Sequence, residues 1–186
     1  MTIRKYQAKD YDYVIAVFLG CKEPPEEIDE GRMPALLTFC LYYIEQEPNN
    51  CFVAVDDEDK PVGYVICAQN YKVYKRRYNK IYVPRLRKYG LKRSFMGRAT
   101  TFTHKLFSKQ YPAHLHMDVL GDYQRMGLGT ALVDALCEHL KAQGVKGLML
   151  TTSSNNEKGV NFYKKYGFTL IEKYPFETVY VMRLTL

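Results

Sequence analysis

The sequence predicts a mixed α/β fold. Three observations carry that reading. In the second half of the chain, apolar runs of strand length alternate with runs of helical period. Two strand-like runs, 51–55 and 62–68, flank the turn Asp56-Asp-Glu-Asp-Lys-Pro61 and read as an antiparallel hairpin. A glycine-rich turn, Gln124-Arg-Met-Gly-Leu-Gly-Thr130, joins an apolar strand-like run to an amphipathic helical one.

Taken in order, Thr2-Ile-Arg-Lys-Tyr-Gln7 reads as a first strand, and Asp10 is placed to cap a helix from Tyr11 to Leu19. Pro24-Pro25 among acids breaks the pattern. Pro34 to Ile44 reads as one helix, with Leu36, Leu37, Cys40, Leu41 and Ile44 on one face, ended by Pro48-Asn-Asn50. After the hairpin, Tyr71, Tyr74, Tyr78 and Tyr82 recur at roughly helical spacing before Pro84. A second helical stretch, Ser94 to Lys109, carries Phe95, Phe102, Leu106 and Phe107. There follow a strand over 113–120, a helix over 127–143 stopped by Gly144, a strand over 147–153, a helix over 157–166, and a hairpin of 168–174 and 178–184.

A length of 186 residues suits a single domain, 1–186, with a proper core. No run approaches 18 apolar residues and the start lacks a secretory apolar core, so no membrane partner is expected. The five cysteines are odd in number, form no C-x-x-C pair and lie in apolar runs. They read as small buried hydrophobes in a reducing, cytoplasmic setting. The four histidines have no metal-ligand spacing, so no metal is expected. The net charge of +7 is uneven: residues 71–111 hold thirteen Lys/Arg and no Asp/Glu, leaving fourteen bases against twenty acids elsewhere. This block is a basic helical insertion in an acidic domain.

A glycine-rich turn that opens a helix presents free N–H groups and the positive end of the helix dipole, a cradle for a diphosphate. Gly127 and Gly129 have no Cβ to keep a phosphate away. The turn alone is weak: Leu132 stands where a dinucleotide fingerprint has its third glycine, and no lysine follows Gly129 as in a P-loop. An ordinary tight turn at a helix start explains it equally well.

A second segment adds to it. After the strand Gly147-Leu-Met-Leu-Thr-Thr152 comes Ser153-Ser-Asn-Asn-Glu-Lys-Gly-Val-Asn-Phe-Tyr-Lys-Lys-Tyr-Gly-Phe168. With the first turn, this N-x-x-G-V-x-F-Y-x-x-x-G-F run resembles the GNAT superfamily of acyl-CoA-dependent N-acyltransferases, closely over 113–172 and in outline elsewhere. The stretch His114-Leu-His-Met-Asp-Val-Leu120 is similar to the acetyltransferase-like domain joined to some O-GlcNAc hydrolases and to its free-standing bacterial relatives. The resemblance implies a mostly antiparallel sheet splayed between two parallel strands, with helices on both faces. It also implies acetyl-CoA as co-substrate and a primary amine as acceptor, a small molecule ahead of a protein lysine. The insertion 71–111 departs from the family's usual tight hairpin. It reads as two basic helices over one side of the acceptor cleft.

The site follows residue by residue. The N–H groups of Arg125, Gly127, Leu128, Gly129 and Thr130, with Gln124 in the same turn, are the expected diphosphate donors. Arg125 adds charge there, or stays a solvated surface arginine. The pantetheine arm is expected on the strand edges Met117 to Leu120 and Thr151 to Ser153, with Val119, Leu120 and Thr152 in contact. Asn156 either meets the pantetheine, orders water or caps the helix over 157–166. Tyr163 aligns with the family's tyrosine near the sulfur and would protonate the thiolate; from spacing alone it is a packing aromatic beside Phe162. Strand alternation puts His114, His116 and Asp118 on one face. Asp118 is the first candidate base or ammonium anchor and His116 the second, while His114 reads as a satisfied structural histidine. The N–H of Val119 or Leu120 would meet the thioester carbonyl.

Two other classes fit parts of the chain. A basic, tyrosine-rich block suits nucleic acid, but the tyrosine spacing suits a packed helix face better, so nucleic acid is not the expected partner. An acyl-CoA-binding module without catalysis has no use for Tyr163, Asn156 and Asp118 together. The chain is expected as a monomer or homodimer.

Overall fold

The computed structural model describes residues 1–175 and 177–184, and all of their side chains except those of 98, 100 and 101. Seven strands form one sheet in the order β1-β2-β3-β4-β5-β7-β6. They are β1 (Thr2–Lys5), β2 (Phe52–Val55), β3 (Pro61–Ala68), β4 (Ala113–Val119), β5 (Gly147–Ser153), β6 (Thr169–Lys173) and β7 (Glu177–Arg183). Every neighbouring pair is antiparallel except β4 and β5.

Helices α1 (Tyr11–Leu19), α2 (Met33–Phe39), α3 (Leu41–Gln46), α4 (Tyr71–Arg87) and α5 (Leu91–Phe107) lie on one face. There Phe18 of α1, Tyr43 of α3, Tyr74 of α4 and His104 of α5 bring their rings to His114 or His116 of β4. Helices α6 (Leu128–Ala142) and α7 (Glu157–Tyr166) cover the other face, where Tyr163 meets Tyr180 of β7. Helices therefore sit on both faces, as the family resemblance implies.

Three local expectations change. Asp10 does not cap α1: its buried carboxylate takes both Arg4 guanidinium nitrogens (2.7 and 2.8 Å) and the Gln7 N–H (2.8 Å). The helix expected over 34–44 breaks at Cys40, whose φ of −127° and ψ of −63° turn α3 away from α2. Helix α4 runs through Pro84 to Arg87, because Pro84 lies on its exposed side and the final turn buries Leu86. Of the cysteines, Cys21 is exposed rather than buried.

The insertion packs by its tyrosines. Tyr71, Tyr74, Tyr78 and Tyr82 are all buried, stacked at 5.3 Å (Tyr74–Tyr78) and 5.6 Å (Tyr78–Tyr82). Tyr82 donates to Glu45 (2.6 Å), which also pairs with Arg85 (2.7 Å). Each buried aromatic ring contributes large apolar area, so the tyrosines act as core and leave the bases outside.

Candidate active site

Strands β4 and β5 stay together for two residue pairs only, Ala113–Leu148 and His114–Met149. Beyond them β4 continues on β3 as far as Val119, and β5 continues on β7 as far as Ser153. Two strand edges therefore face each other with their backbone groups unshared. Such edges accept an extended chain as an added strand.

A cleft of about 1190 Å³ opens at this gap. Of the residues expected at the site, Asp118, Val119, Gln124, Arg125, Gly127, Gly129, Thr130, Asn156 and Tyr163 line it. His116, Leu120, Leu128 and Thr152 do not. Sequence reasoning missed Lys158, Asn161 and Lys165, which line it from α7. Their spacing of three to four residues puts them on one helix face beside Phe162, a legible signal.

The turn into α6 leaves its donors free. The N–H groups of Arg125, Gly127, Leu128, Gly129 and Thr130 have no partner among the described residues; the first bond of the helix is Ala131 N–H to Gly127 O (3.1 Å). The two glycines serve different ends. Gly127 has a φ of +83°, a left-handed conformation at the N-cap. Gly129 is needed for space, since a Cβ there would lie 3.2 Å from the Phe162 ring and 3.4 Å from Met117. Arg125 also has a positive φ, 64°, uncommon for a side chain of its size. The Gln124 amide donates to Val119 O (3.0 Å), tying the turn to the edge of β4.

Two expected donors behave differently. Leu120 gives its N–H to Val62 O (3.0 Å), so the β3 strand consumes it and it is not available to a carbonyl in the cleft. Val119 N–H points into the gap and donates to the Asp118 carboxylate (2.8 Å).

Asp118 opens to the cleft, and the protein around it raises its carboxyl above the ordinary carboxylate value, an effect moderated by the Val119 N–H. Tyr163 is 8% exposed, wedged edge-on against Phe162 (5.4 Å) and Phe168 (5.7 Å). Burial first, and the negative charge of Asp118 second, push its phenol above the usual value. The phenol is protonated at neutral pH and shares the cleft with a carboxylate.

His116 and His114 sit apart from this pair. His116 shares a 3.1 Å hydrogen bond with the Tyr64 hydroxyl through Nδ1 and lies between the Phe18 and Phe39 rings (5.7 and 6.1 Å). Burial lowers its pKa to about 4, so it is neutral at pH 7 and a weak base. His114 is structural but not satisfied: both ring nitrogens are buried without a hydrogen-bond partner among the described residues. Burial, then the nearby His104, hold it neutral.

Asn156 caps α7. Its Oδ1 accepts from Gly159 N–H (3.0 Å) and its Nδ2 donates to Thr152 Oγ1 (3.1 Å). The N-x-x-G spacing is thus a cap and its N3 partner, with the amide packed where a Cβ on residue 159 would stand.

Residues 14–168 match the acetyltransferase (GNAT) family. The chain is 27% identical over 127 residues to N-alpha-acetyltransferase 30 of Schizosaccharomyces pombe, covering 68% of this chain and 62% of that protein. It is 40% identical over 47 residues to the ribosomal protein bS18-alanine N-acetyltransferase of Escherichia coli K12, covering 25% of this chain and 32% of that one. The chain thus spans less than two thirds of the length of either relative. The crystal structure of SsHAT superposes over 100% of this chain and 98% of its own, with a TM-score of 0.80 at 23% identity. A family match of that extent, on a sheet that parts between its two parallel strands, makes this chain a member of the acetyltransferase (GNAT) family.

Proposed function

We propose that the chain is an acetyl-CoA-dependent N-acetyltransferase that acts on a primary amine of a small molecule. The observation that carries this is one cleft joining parted strands, a row of unpaired N–H groups, a raised carboxyl and a buried phenol.

The five N–H groups from Arg125 to Thr130 hold the diphosphate, with charge from Arg125, Lys158 and Lys165. The edges at Met117 to Val119 and Thr151 to Ser153 hold the pantetheine arm. Asp118 anchors the ammonium and takes its proton, directly or through water. The amine then attacks the thioester carbonyl, the C–N bond forms and the C–S bond breaks. Tyr163 gives its proton to the departing thiolate, and the extra proton left on the acylated nitrogen passes through water to restore the phenol. Val119 N–H turns from Asp118 to the carbonyl oxygen as charge develops there. His116 is the weaker base because it lies off the cleft and is already hard to protonate.

A small acceptor is supported by the position of the insertion, whose helix α5 lies over β4 and the start of β7 on the face opposite α6 and α7. Thr103 of α5 donates to Glu177 at the start of β7, and Phe18 and Phe39 wall the recess at His116. A second reading, a protein N-terminal amine as acceptor, is favoured by the names of the two relatives. A thiol-release assay with small amines beside N-terminal peptides separates them. Release with small amines supports the first reading, and release with peptides alone supports the second. Thermal stabilisation by acetyl-CoA with no release from any acceptor would leave a binding module and remove the enzyme reading.

A further inference from the structure

Helix α5 is built inside out. Its buried positions are small or polar, Ser94, Gly97 and Thr103. Its open positions carry Leu91 (78% exposed), Phe95 (73%), Phe102 (57%) and Leu106 (51%). At 3.6 residues per turn these four fall within a stripe about 60° wide and about 22 Å long. Soluble proteins rarely leave such a stripe uncovered.

The stripe reads Leu-x3-Phe-x6-Phe-x3-Leu and is the same in both directions, with its midpoint between residues 98 and 99. We propose that α5 is a homodimer interface that packs antiparallel on α5 of a second copy. A twofold axis through the midpoint sets Leu91 on the second copy's Leu106 and Phe95 on its Phe102. In this register Ala99 lies next to the axis, opposite residue 98 of the second copy. About that axis each apolar residue of the stripe meets an apolar residue of the second copy, the reciprocal matching of an isologous contact. A partner of another kind has no need of it.

Size and charge set the strength. The four side chains offer on the order of 400 Å² per copy, at roughly 150–250 Å² for a fully open aromatic residue. A standard interface buries about 800 Å² per partner. The dimer is therefore weak and concentration-dependent. The same register sets Lys92 opposite the second copy's Lys105, and residues 71–111 contain no acid to relieve them. Salt screens that repulsion, so the dimer tightens as ionic strength rises. Nucleic acid or an anionic lipid surface on the same helix would loosen.

Sedimentation equilibrium over a range of protein and salt concentrations tests the idea. Wild type is expected to pass from monomer to dimer with concentration, more readily at high salt. Phe95→Asp, at an exposed position, is expected to stay folded by circular dichroism and monomeric. Lys92→Glu sets a carboxylate opposite Lys105 on both sides of the axis. It is expected to tighten the dimer by roughly two- to fivefold at low salt, as two exposed pairs would, and to reverse the salt trend. A monomer at all concentrations overturns the proposal. So does a dimer that Phe95→Asp leaves unchanged, a dimer that Lys92→Glu loosens, or a monomer whose α5 binds anionic vesicles.

Discussion

Tyr163 and Asp118 suit opposite proton roles because their surroundings make the phenol hold its proton and make the carboxylate readier to take one. Burial and the Asp118 charge oppose ionisation of the phenol, so a proton is in place when a thiolate needs it. Tyr163→Phe removes that proton while keeping the ring against Phe162 and Phe168. Acetyl-CoA affinity is expected to hold and turnover to fall at least ~10-fold, within the ~10²–10⁴ range of general acid help. An unchanged turnover at unchanged affinity would remove the phenol from the chemistry. For Asp118 the expected signature is pH dependence. Its carboxyl is raised, so the active carboxylate forms as pH rises through a value above the ordinary one, and kcat/KM rises with it. Asp118→Asn should erase that limb; a superimposable profile would return the base role to His116 or to water. Both residues were legible because strand alternation and a helical motif place them. The partner of Val119 N–H was not, because it depends on how an aspartate side chain folds back on its own strand.

At the scale of elements, sharp periodicity made the second half of the chain readable from β4 to β7, and tertiary contacts decided where the first half differed. The break at Cys40 and the continuation through Pro84 come from what α3 and Leu86 pack against, and no local signal carries that. Helix α7 shows how much a short motif can hold. One asparagine closes its first turn and ties it to Thr152 of β5, so the cap also sets where Tyr163 stands, two turns later. Asn156→Ala should cost about 0.5–2 kcal/mol of unfolding free energy. It should also raise KM for acetyl-CoA, because α7 forms one wall of the cleft. Asn156→Asp keeps the acceptor for Gly159 N–H and should restore most of the stability. Equal losses in both variants, read from denaturant midpoints, would mean that the bond to Thr152 and not the cap holds the helix.

At the scale of the molecule, five helices and β4 converge on a histidine pair that sequence alone placed on the right face without its surroundings. Phe18, Phe39 and Tyr64 reach His116 from three different elements, and Tyr43, Tyr74 and His104 reach His114 from three more. No spacing rule links them. The consequence is a stability that depends on pH. His116 has its pKa lowered to about 4, and His114 lies well below the ordinary histidine value. As pH falls below 6.5, the unfolded chain takes up protons that the folded chain refuses. Stability is therefore full above about pH 6.5 and is lost on acidification. The loss from His116 ends near pH 4, where the folded ring also protonates. Each group contributes at most about 1.4 kcal/mol per pH unit within its window. Asp118 acts in the opposite sense, since a raised carboxyl holds protons in the folded state, and it offsets part of the loss. The exposed paired acids Glu23, Asp59 and Asp122 have lowered values, so their contribution falls away below the histidine window. Denaturant unfolding at a series of pH values from about 4.5 to 8 should show wild type losing stability below 6.5. His116→Phe fills the same aromatic recess without a titrating ring, so its curve should be shallower by up to one proton. Parallel curves for the two proteins would mean that His116 titrates alike in the folded and unfolded chains, and that the aromatic recess leaves it open to water.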